Sequence, residues 1–208
     1  MSNILPSLRI AELLCARMSH DLSGIAGVLS GTLELAAEEL SDNDESMAFA
    51  VDAARDLVNR LRLLRAAWGP ANEPLDVNTL RSLSGGVGKA KVVVRLEGIA
   101  PGTVFPAPMG RVLLNLLLLA ADSLPGGGTV AVSSSADEVT VAISGARAAW
   151  PPGLPACLAS HDAAWEAVQD ARSVQMPLTA LLAHSSGLQL SLVPGPDGSA
   201  SPSLRVSL

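Results

Sequence analysis

From Ala11 to Ala36 the apolar and small residues recur in steps that alternate four and three: Ala11, Cys15, Met18, Leu22, Ile25, Leu29, Thr32 and Ala36. That is a heptad seam, the pattern of a long helix pressed along one side against a neighbouring helix. Leu14, Val28, Leu33, Leu35 and Leu40 widen the stripe beyond a two-stranded contact. Ser41, Asp42, Asn43 and Asp44 then supply turn and helix-capping side chains. A second seam follows at Met47, Ala50, Ala54, Leu57, Leu61, Leu64 and Trp68. Two helices of roughly 30 and 25 residues joined by so short a turn fold back as an antiparallel hairpin. A lone hairpin cannot bury faces this wide, whereas pairing with a second copy gives a four-helix bundle. The seams therefore predict a homodimer.

The chain changes character after Trp68, Gly69 and Pro70, where Gly and Pro become frequent and short β-branched runs appear. Strands are predicted at 92–96, 129–134, 139–144, 188–193 and 203–206. Helices are predicted at 78–83, at 109–124, and from Ala163 to His184 with an interruption at Pro177. Gly195, Pro196, Asp197 and Gly198 form a turn between the last two strands. The fold class that results is α+β: a hairpin in residues 1–69, in a dimeric four-helix bundle, followed by an α/β sandwich in residues 74–208. With 49% hydrophobic and 2% aromatic residues in 208, the core must be built of Leu, Val and Ala.

The same composition narrows the function. A net charge of −6 and few rings for base stacking argue against nucleic acid. Cys15 and Cys157 make no disulfide framework or zinc knuckle. The apolar run at 112–121 contains Asn115 and is too short to span a bilayer, and the first residues lack the form of a signal peptide. A cytoplasmic protein without membrane contact is expected.

With Cys15 labelled a and Met18 d, His20 falls at f, facing directly away from the seam. The outward stripe of f and c positions reads Leu13, Arg17, His20, Gly24, Gly27, Gly31, Glu34 and Glu38. Each glycine costs roughly 1 kcal/mol against Ala in a helix interior, so stability does not explain three of them. Small residues admit another backbone closely, and the stripe predicts a docking surface beginning one turn after His20. The competing explanation is close packing against the second part of the chain. A surface histidine is ordinarily unremarkable, but this one leads into the glycine stripe and is followed by Asp21.

Leu13-Leu14-Cys15-Ala16-Arg17-Met18-Ser19-His20-Asp21-Leu22 resembles the phosphoacceptor helix of sensor histidine kinases. It is closer still to the alphaproteobacterial histidine phosphotransferase family ChpT. The resemblance implies that His20 accepts phosphate and that Asp21 orients or polarises its imidazole. It extends over nearly the whole chain. Residues 111–121 resemble the kinase N-box helix, with Leu119 where a kinase carries its magnesium-binding Asn. Residues 139–147 stand where a kinase has its aspartate–glycine box, with Ile143 for the acidic residue and Arg147 for the second glycine. His184-Ser185-Ser186-Gly187-Leu188 runs straight from helix to strand, without the glycine-rich lid. A phosphate cradle needs free backbone N–H groups and a hard cation needs oxygen ligands; Leu119 and Ile143 supply neither. The second part therefore resembles a kinase ATPase domain that has degenerated.

Other motifs are weaker. Gly126-Gly127-Gly128 lacks a Lys-Ser/Thr partner, and Gly85-Gly86-Val87-Gly88-Lys89 is a faint loop signal. No nucleophile elbow frames a Ser, and His161 and His184 lack metal-ligand spacing.

The function implied is a phosphorelay histidine phosphotransferase, passing phosphate between receiver-domain aspartates through His20 without ATP. Its partners would be the receiver of a hybrid histidine kinase and response-regulator receivers, with Mg²⁺ supplied by the receiver and no cofactor of its own. Arg17, Gly24, Gly27, Gly31 and Arg62 are the expected docking residues. Arg60, Arg62 and Arg65 should lie level with His20 once the hairpin closes. The competing readings are a divergent ATP-dependent sensor kinase core and a non-catalytic dimeric scaffold.

Overall fold

The computed structural model describes residues 4–38, 44–87, 91–136, 138–193 and 203–207. Leu40, the turn residues Ser41 to Asn43, Gly88, Lys89 and the turn at Gly195 to Gly198 lie outside them. Two long helices, α1 (Ile4–Glu38) and α2 (Asp44–Trp68), pack along each other as the hairpin the seams predict.

The rest of the chain is α/β. It runs β1 (Leu75–Asp76), α3 (Val77–Ser84), β2 (Val92–Gly98), β3 (Val104–Phe105) and α4 (Ala107–Asp122). It continues with β4 (Gly128–Ser134), β5 (Glu138–Ser144), α5 (Leu154–Ala159), α6 (His161–Glu166), α7 (Gln175–Ser185), β6 (Gln189–Val193) and β7 (Ser203–Ser207). The main sheet has the order β2-β4-β5-β7-β6, with β2 parallel to β4 and the remaining pairs antiparallel. The two-residue strands β1 and β3 pair separately, Leu75 opposite Phe105.

The core lies between the sheet and α4. Leu113, Leu116, Leu117 and Leu119 meet Val130, Val132, Val141, Ile143, Leu204 and Val206, none more than 4% exposed. Burial of such side chains stabilises by about 1.5–3 kcal/mol each. A helix apolar on all sides must be covered on all sides, and α2 and α7 cover what the sheet leaves. Asn115 and Arg111 are the polar exceptions, and they make the joint with the hairpin. Asn115 Nδ2 donates to Ala67 O (2.7 Å) and Arg111 O (2.9 Å), while its Oδ1 accepts from Gln175 Nε2 (2.9 Å). Arg111 donates from Nε to Ala67 O at 3.3 Å. The last carbonyls of α2, which no helical N–H can reach, are thus satisfied from α4.

Three features differ from the sequence reading. Leu13 and Arg17, assigned to the outer face, are 6% and 7% exposed, while Cys15 of the seam is exposed. A heptad reports one neighbour, and the first half of α1 has two: α2 on one side, the α/β part on the other. Arg9 Nη2, for example, donates to Gln169 O at 2.9 Å. Pro177 does not interrupt a helix but occupies the first turn of α7, where a missing N–H is harmless. The segment before it forms α5 and α6, joined at Ser160, whose side chain caps α6 by accepting from Ala163 N.

Candidate functional site

His20 lies midway along α1, its side chain 81% exposed, at the mouth of a cleft of about 610 Å³ between the hairpin and the α/β part. Gly24, Ile25 and Val28 continue one wall along α1; Gly85, Gly86, Lys91 and Gly127 form the other.

The residues around His20 form a chain of alternating charges. Asp21 is ion-paired with Arg60 of α2 through Oδ2. Arg60 is itself held by Gly86 O and Val87 O, at 3.2 and 3.4 Å from Nη1. On the other side Arg17 places its Nε 4.0 Å from Asp21 Oδ2. Arg17 Nη2 reaches Asp122 Oδ1 at 2.9 Å and Oδ2 at 2.6 Å, and its Nη1 donates to Arg172 O at 3.1 Å. The order is Asp122, Arg17, Asp21, Arg60, and it crosses from α4 through α1 to α2. Burial pushes the Asp122 carboxyl above its ordinary range, and the Arg17 charge and hydrogen bond pull it back.

His20 Nδ1 stands 3.7 Å from Asp21 Oδ1, too long for a hydrogen bond but close enough for the charge to act. The hydrogen-bonding partner of Asp21 is Arg60. The carboxylate is therefore anchored at Oδ2 and leaves Oδ1 on the histidine side.

The expected docking residues divide. Gly24, Gly27 and Gly31 all have open space where a Cβ would project, with nothing within 4 Å. Close packing against the second part of the chain is therefore not their purpose. Arg17 leaves the set, because it is buried against the chain's own Asp122. Arg62 is exposed and does not border the cleft. It sits two residues from Arg60, roughly 200° around the helix, so of the three arginines it is Arg60 that enters the site.

The second part holds no surprise at the kinase-like positions. Leu119 and Ile143 are 1% and 4% exposed within the main core. The Gly126 to Gly128 run is a turn: Gly127 and Gly128 have φ of +82° and +147°, and a Cβ on Gly128 would lie 2.2 Å from Ser144 O. Gly128 N–H donates to Lys91 O at 2.9 Å, so it is spent within the chain. Gly86 has a different purpose, since a Cβ there would lie 2.3 Å from Asn59 O. Its small size lets the end of α3 touch α2 and offer Arg60 its carbonyls. His161 Nε2 accepts from Trp165 Nε1 at 3.1 Å, and His184 Nε2 lies 2.9 Å from Cys157 O. Among the described residues no group of three or more His, Cys, Asp or Glu is placed to hold a metal ion. None of the described helices is long and apolar enough to cross a membrane.

Asp122 was not legible as a site residue, although a signal existed. A carboxylate at the C-terminus of a helix opposes the helix dipole. An acid closing the apolar last turns of a helix therefore implies a cation brought to it from elsewhere, here Arg17.

A helical hairpin bearing an outward histidine beside a carboxylate, joined to an α/β sandwich, is an architecture suited to histidine phosphotransfer. Comparison with known proteins gives the family. The histidine phosphotransferase C-terminal domain family matches residues 77–198. Protein phosphotransferase ChpT of Brucella abortus (strain 2308) is 30% identical over 197 residues, covering 90% of this chain and 91% of that protein. A solved structure of a bacterial phosphotransferase is 26% identical, with a TM-score of 0.75, over 96% of this chain and 95% of that one. The chain belongs to the histidine phosphotransferase family that includes ChpT, and it is a phosphorelay phosphotransferase, not an autophosphorylating kinase.

Proposed function

We propose that His20 is the phosphoryl carrier, taking the group from one receiver aspartate and giving it to another without ATP. The observation that carries this reading is the exposed His20 ring with Asp21 Oδ1 on its Nδ1 side. A carboxylate there favours the proton on Nδ1 and leaves the Nε2 lone pair free. Nε2 then attacks the phosphorus of a receiver's aspartyl phosphate. The N–P bond forms as the P–O bond breaks, and the electron pair of that bond returns to the receiver carboxylate. The Nδ1 proton stays in place, its developing positive charge offset by Asp21. Return transfer runs through the same atoms in reverse. The receiver supplies the Mg²⁺ that screens the phosphoryl oxygens, and this chain needs no cofactor.

The buried Leu119 and Ile143 support independence from ATP, because an apolar side chain in each place offers neither a metal ligand nor an adenine acceptor. The open glycine face at Gly24 and Gly27, beside the cleft, suits the close approach of a receiver helix. The donor is the receiver of a hybrid histidine kinase and the acceptors are response-regulator receivers, all in the cytoplasm. The chain works as a homodimer. Val28, Leu33, Leu35, Val51, Val58 and Leu61 are 43–60% exposed along the hairpin, an apolar extent that single domains seldom leave to water.

The test is transfer from receiver domains charged with acetyl phosphate. Wild-type protein should gain a label stable to alkali and labile to acid, as a phosphoramidate is. His20→Ala should gain none, while His161→Ala and His184→Ala label normally. Label retained by His20→Ala overturns the assignment.

A further inference from the structure

If His20 is the phosphoacceptor, as proposed above, the carboxylate beside it decides the state of the ring, and that carboxylate stands between two arginines. Arg60 is paired with it. Arg17 makes only a longer ion pair with the same oxygen, its Nε 4.0 Å from Oδ2. This Nε is buried and has no hydrogen-bond acceptor, an expensive condition for a guanidinium N–H. The nearest carboxylate that could relieve it is Asp21. What prevents this is Asp122, which takes Arg17 Nη2 on both oxygens at 2.9 and 2.6 Å, with Arg172 O fixing Nη1.

Arg17 is 7% exposed, and a guanidinium charge so withdrawn from water must be neutralised by something close. Without the Asp122 charge, the remaining acid within reach is Asp21. Released from Asp122, the Nε–Nη2 edge of Arg17 could grip the Asp21 carboxylate as a fork, taking Oδ1 as well as the Oδ2 it now faces and leaving none for His20. The Asp122 carboxyl itself lies at the C-terminal end of α4, where the helix dipole disfavours an anion, so its charge there depends on Arg17.

We propose that Asp122 is a positioning residue for phosphotransfer: by holding Arg17 Nη2 away from Asp21, it keeps Asp21 Oδ1 on the His20 side and the ring proton on Nδ1. The α/β part, whose nucleotide-reading positions are apolar, thereby acts on the reaction through the end of α4. It does so without touching the phosphoryl group.

The test uses the full chain, ¹⁵N-labelled at histidine, with two readouts. One is the ratio of Nδ1–H to Nε2–H tautomers of His20 by long-range ¹H–¹⁵N spectra. The other is the rate of transfer from a receiver domain charged with acetyl phosphate. Asp122→Asn is expected to raise the Nε2–H share and to slow transfer roughly 10- to 100-fold, by analogy with losing the outer partner that orients a metal-bound histidine. Asp122→Glu should restore both. Arg17→Gln combined with Asp122→Asn, which removes the competing cation too, should also return both toward wild type. A merely structural role predicts that this double variant is no better than the single. If Asp122→Asn does not fold, the double variant decides: a wild-type tautomer ratio with near-normal transfer supports the proposal, and an Nε2–H ring with slow transfer overturns it. An unchanged tautomer ratio in folded Asp122→Asn also overturns it, whatever the rate. Failure of wild-type protein to be labelled at His20 would instead remove the phosphoacceptor reading, and the tautomer measurement would still report on Asp122.

Discussion

Arg60 of α2 is ion-paired with Asp21 of α1, and the same guanidinium takes the backbone carbonyls of Gly86 and Val87 beyond α3. One side chain thus joins the two helices of the hairpin to the α/β part at the level of His20. It also fixes which oxygen of Asp21 is turned to the imidazole.

Arg60→Met should therefore change more than a surface charge would. The Arg60 side chain is 14% exposed and that of Asp21 23%, so the pair is partly withdrawn from water and breaking it leaves the carboxylate with only the longer Arg17 contact. A loss of about 1.5–3 kcal/mol is expected, the range for a hydrogen bond to a charged group. Transfer should slow as well, because Asp21 is released. Urea unfolding and the transfer assay measure the two effects. A variant with wild-type stability and rate would show that Arg60 anchors nothing.

Gly27→Leu tests the glycine face. A Cβ at this position meets no atom of another part of the chain within 4 Å, so it projects into open space. Helix stability should rise by about 1 kcal/mol, from the removal of a glycine within a helix interior. Receiver binding should weaken, because the added bulk stands on the same face about two helical turns beyond His20. Stability raised with transfer unchanged would move the docking surface elsewhere.

Much of this site was legible in the sequence, and what was not has a physical cause. The period of the apolar residues predicted both long helices, and it placed His20 and Gly24 outward, where both are exposed. The same labelling misplaced Leu13 and Arg17, since a heptad records one contact and α1 makes two there. Arg60 and Arg62 both stood level with His20, but the facing side of α2 depends on how two helices roll against each other. Periodicity within one helix does not carry that. The strands β1 and β3, two residues each, are shorter than any alternation can reveal. The pairing of Arg17 with Asp122 spans more than 100 residues and is a matter of packing alone.

Acid should destabilise the protein through Asp76 and Asp170. Thr79 holds the Asp76 carboxyl below its ordinary 3.8, chiefly by its side-chain hydroxyl, as Asp76 caps α3. Ser173 does the same for Asp170, which orders the loop that offers Arg172 O to Arg17. Each folded-state value is depressed, so the stabilisation is fully present above the unfolded value and is lost as pH falls through the folded one. Asp122 runs the other way, because its folded value is raised: across that interval the folded state binds more protons, and stability falls as pH rises. Thermal unfolding followed from about pH 7 to pH 3 should fall less steeply at its acid end in the Asp76→Asn, Asp170→Asn variant. An identical acid slope would mean these carboxylates do not govern it.

Titration with Mg-ATP should give no saturable heat up to millimolar nucleotide. Leu119 and Ile143 are packed into the main core, so a nucleotide would have to displace apolar side chains from close-packed surroundings. Restoring polarity with Leu119→Asn and Ile143→Asp should destabilise the fold by burying an amide and a charge, and still not create a site. Micromolar binding by wild-type protein would contradict the proposed independence from ATP.

The homodimer is tested at Leu61. In the isolated chain Leu61 is 43% exposed on α2, about one turn from Val58, which is 45% exposed. Leu61→Lys would then cost a monomer little, since surface replacements of this kind usually fall within about 0.5 kcal/mol. In a four-helix bundle the same change puts a charge into an apolar seam shared by two copies, at several kcal/mol. The two cases separate cleanly by analytical ultracentrifugation with a parallel melt. A dimer predicts that wild type sediments at twice the chain mass at micromolar concentration, and that Leu61→Lys falls to the monomer mass or loses much of its thermal stability. Arg62→Glu is the control one residue further on: it is already exposed and charged, and its reversal should leave the mass unchanged. Wild-type protein that stays at the monomer mass, with Leu61→Lys melting as it does, would leave the apolar face of the hairpin to some other occupant.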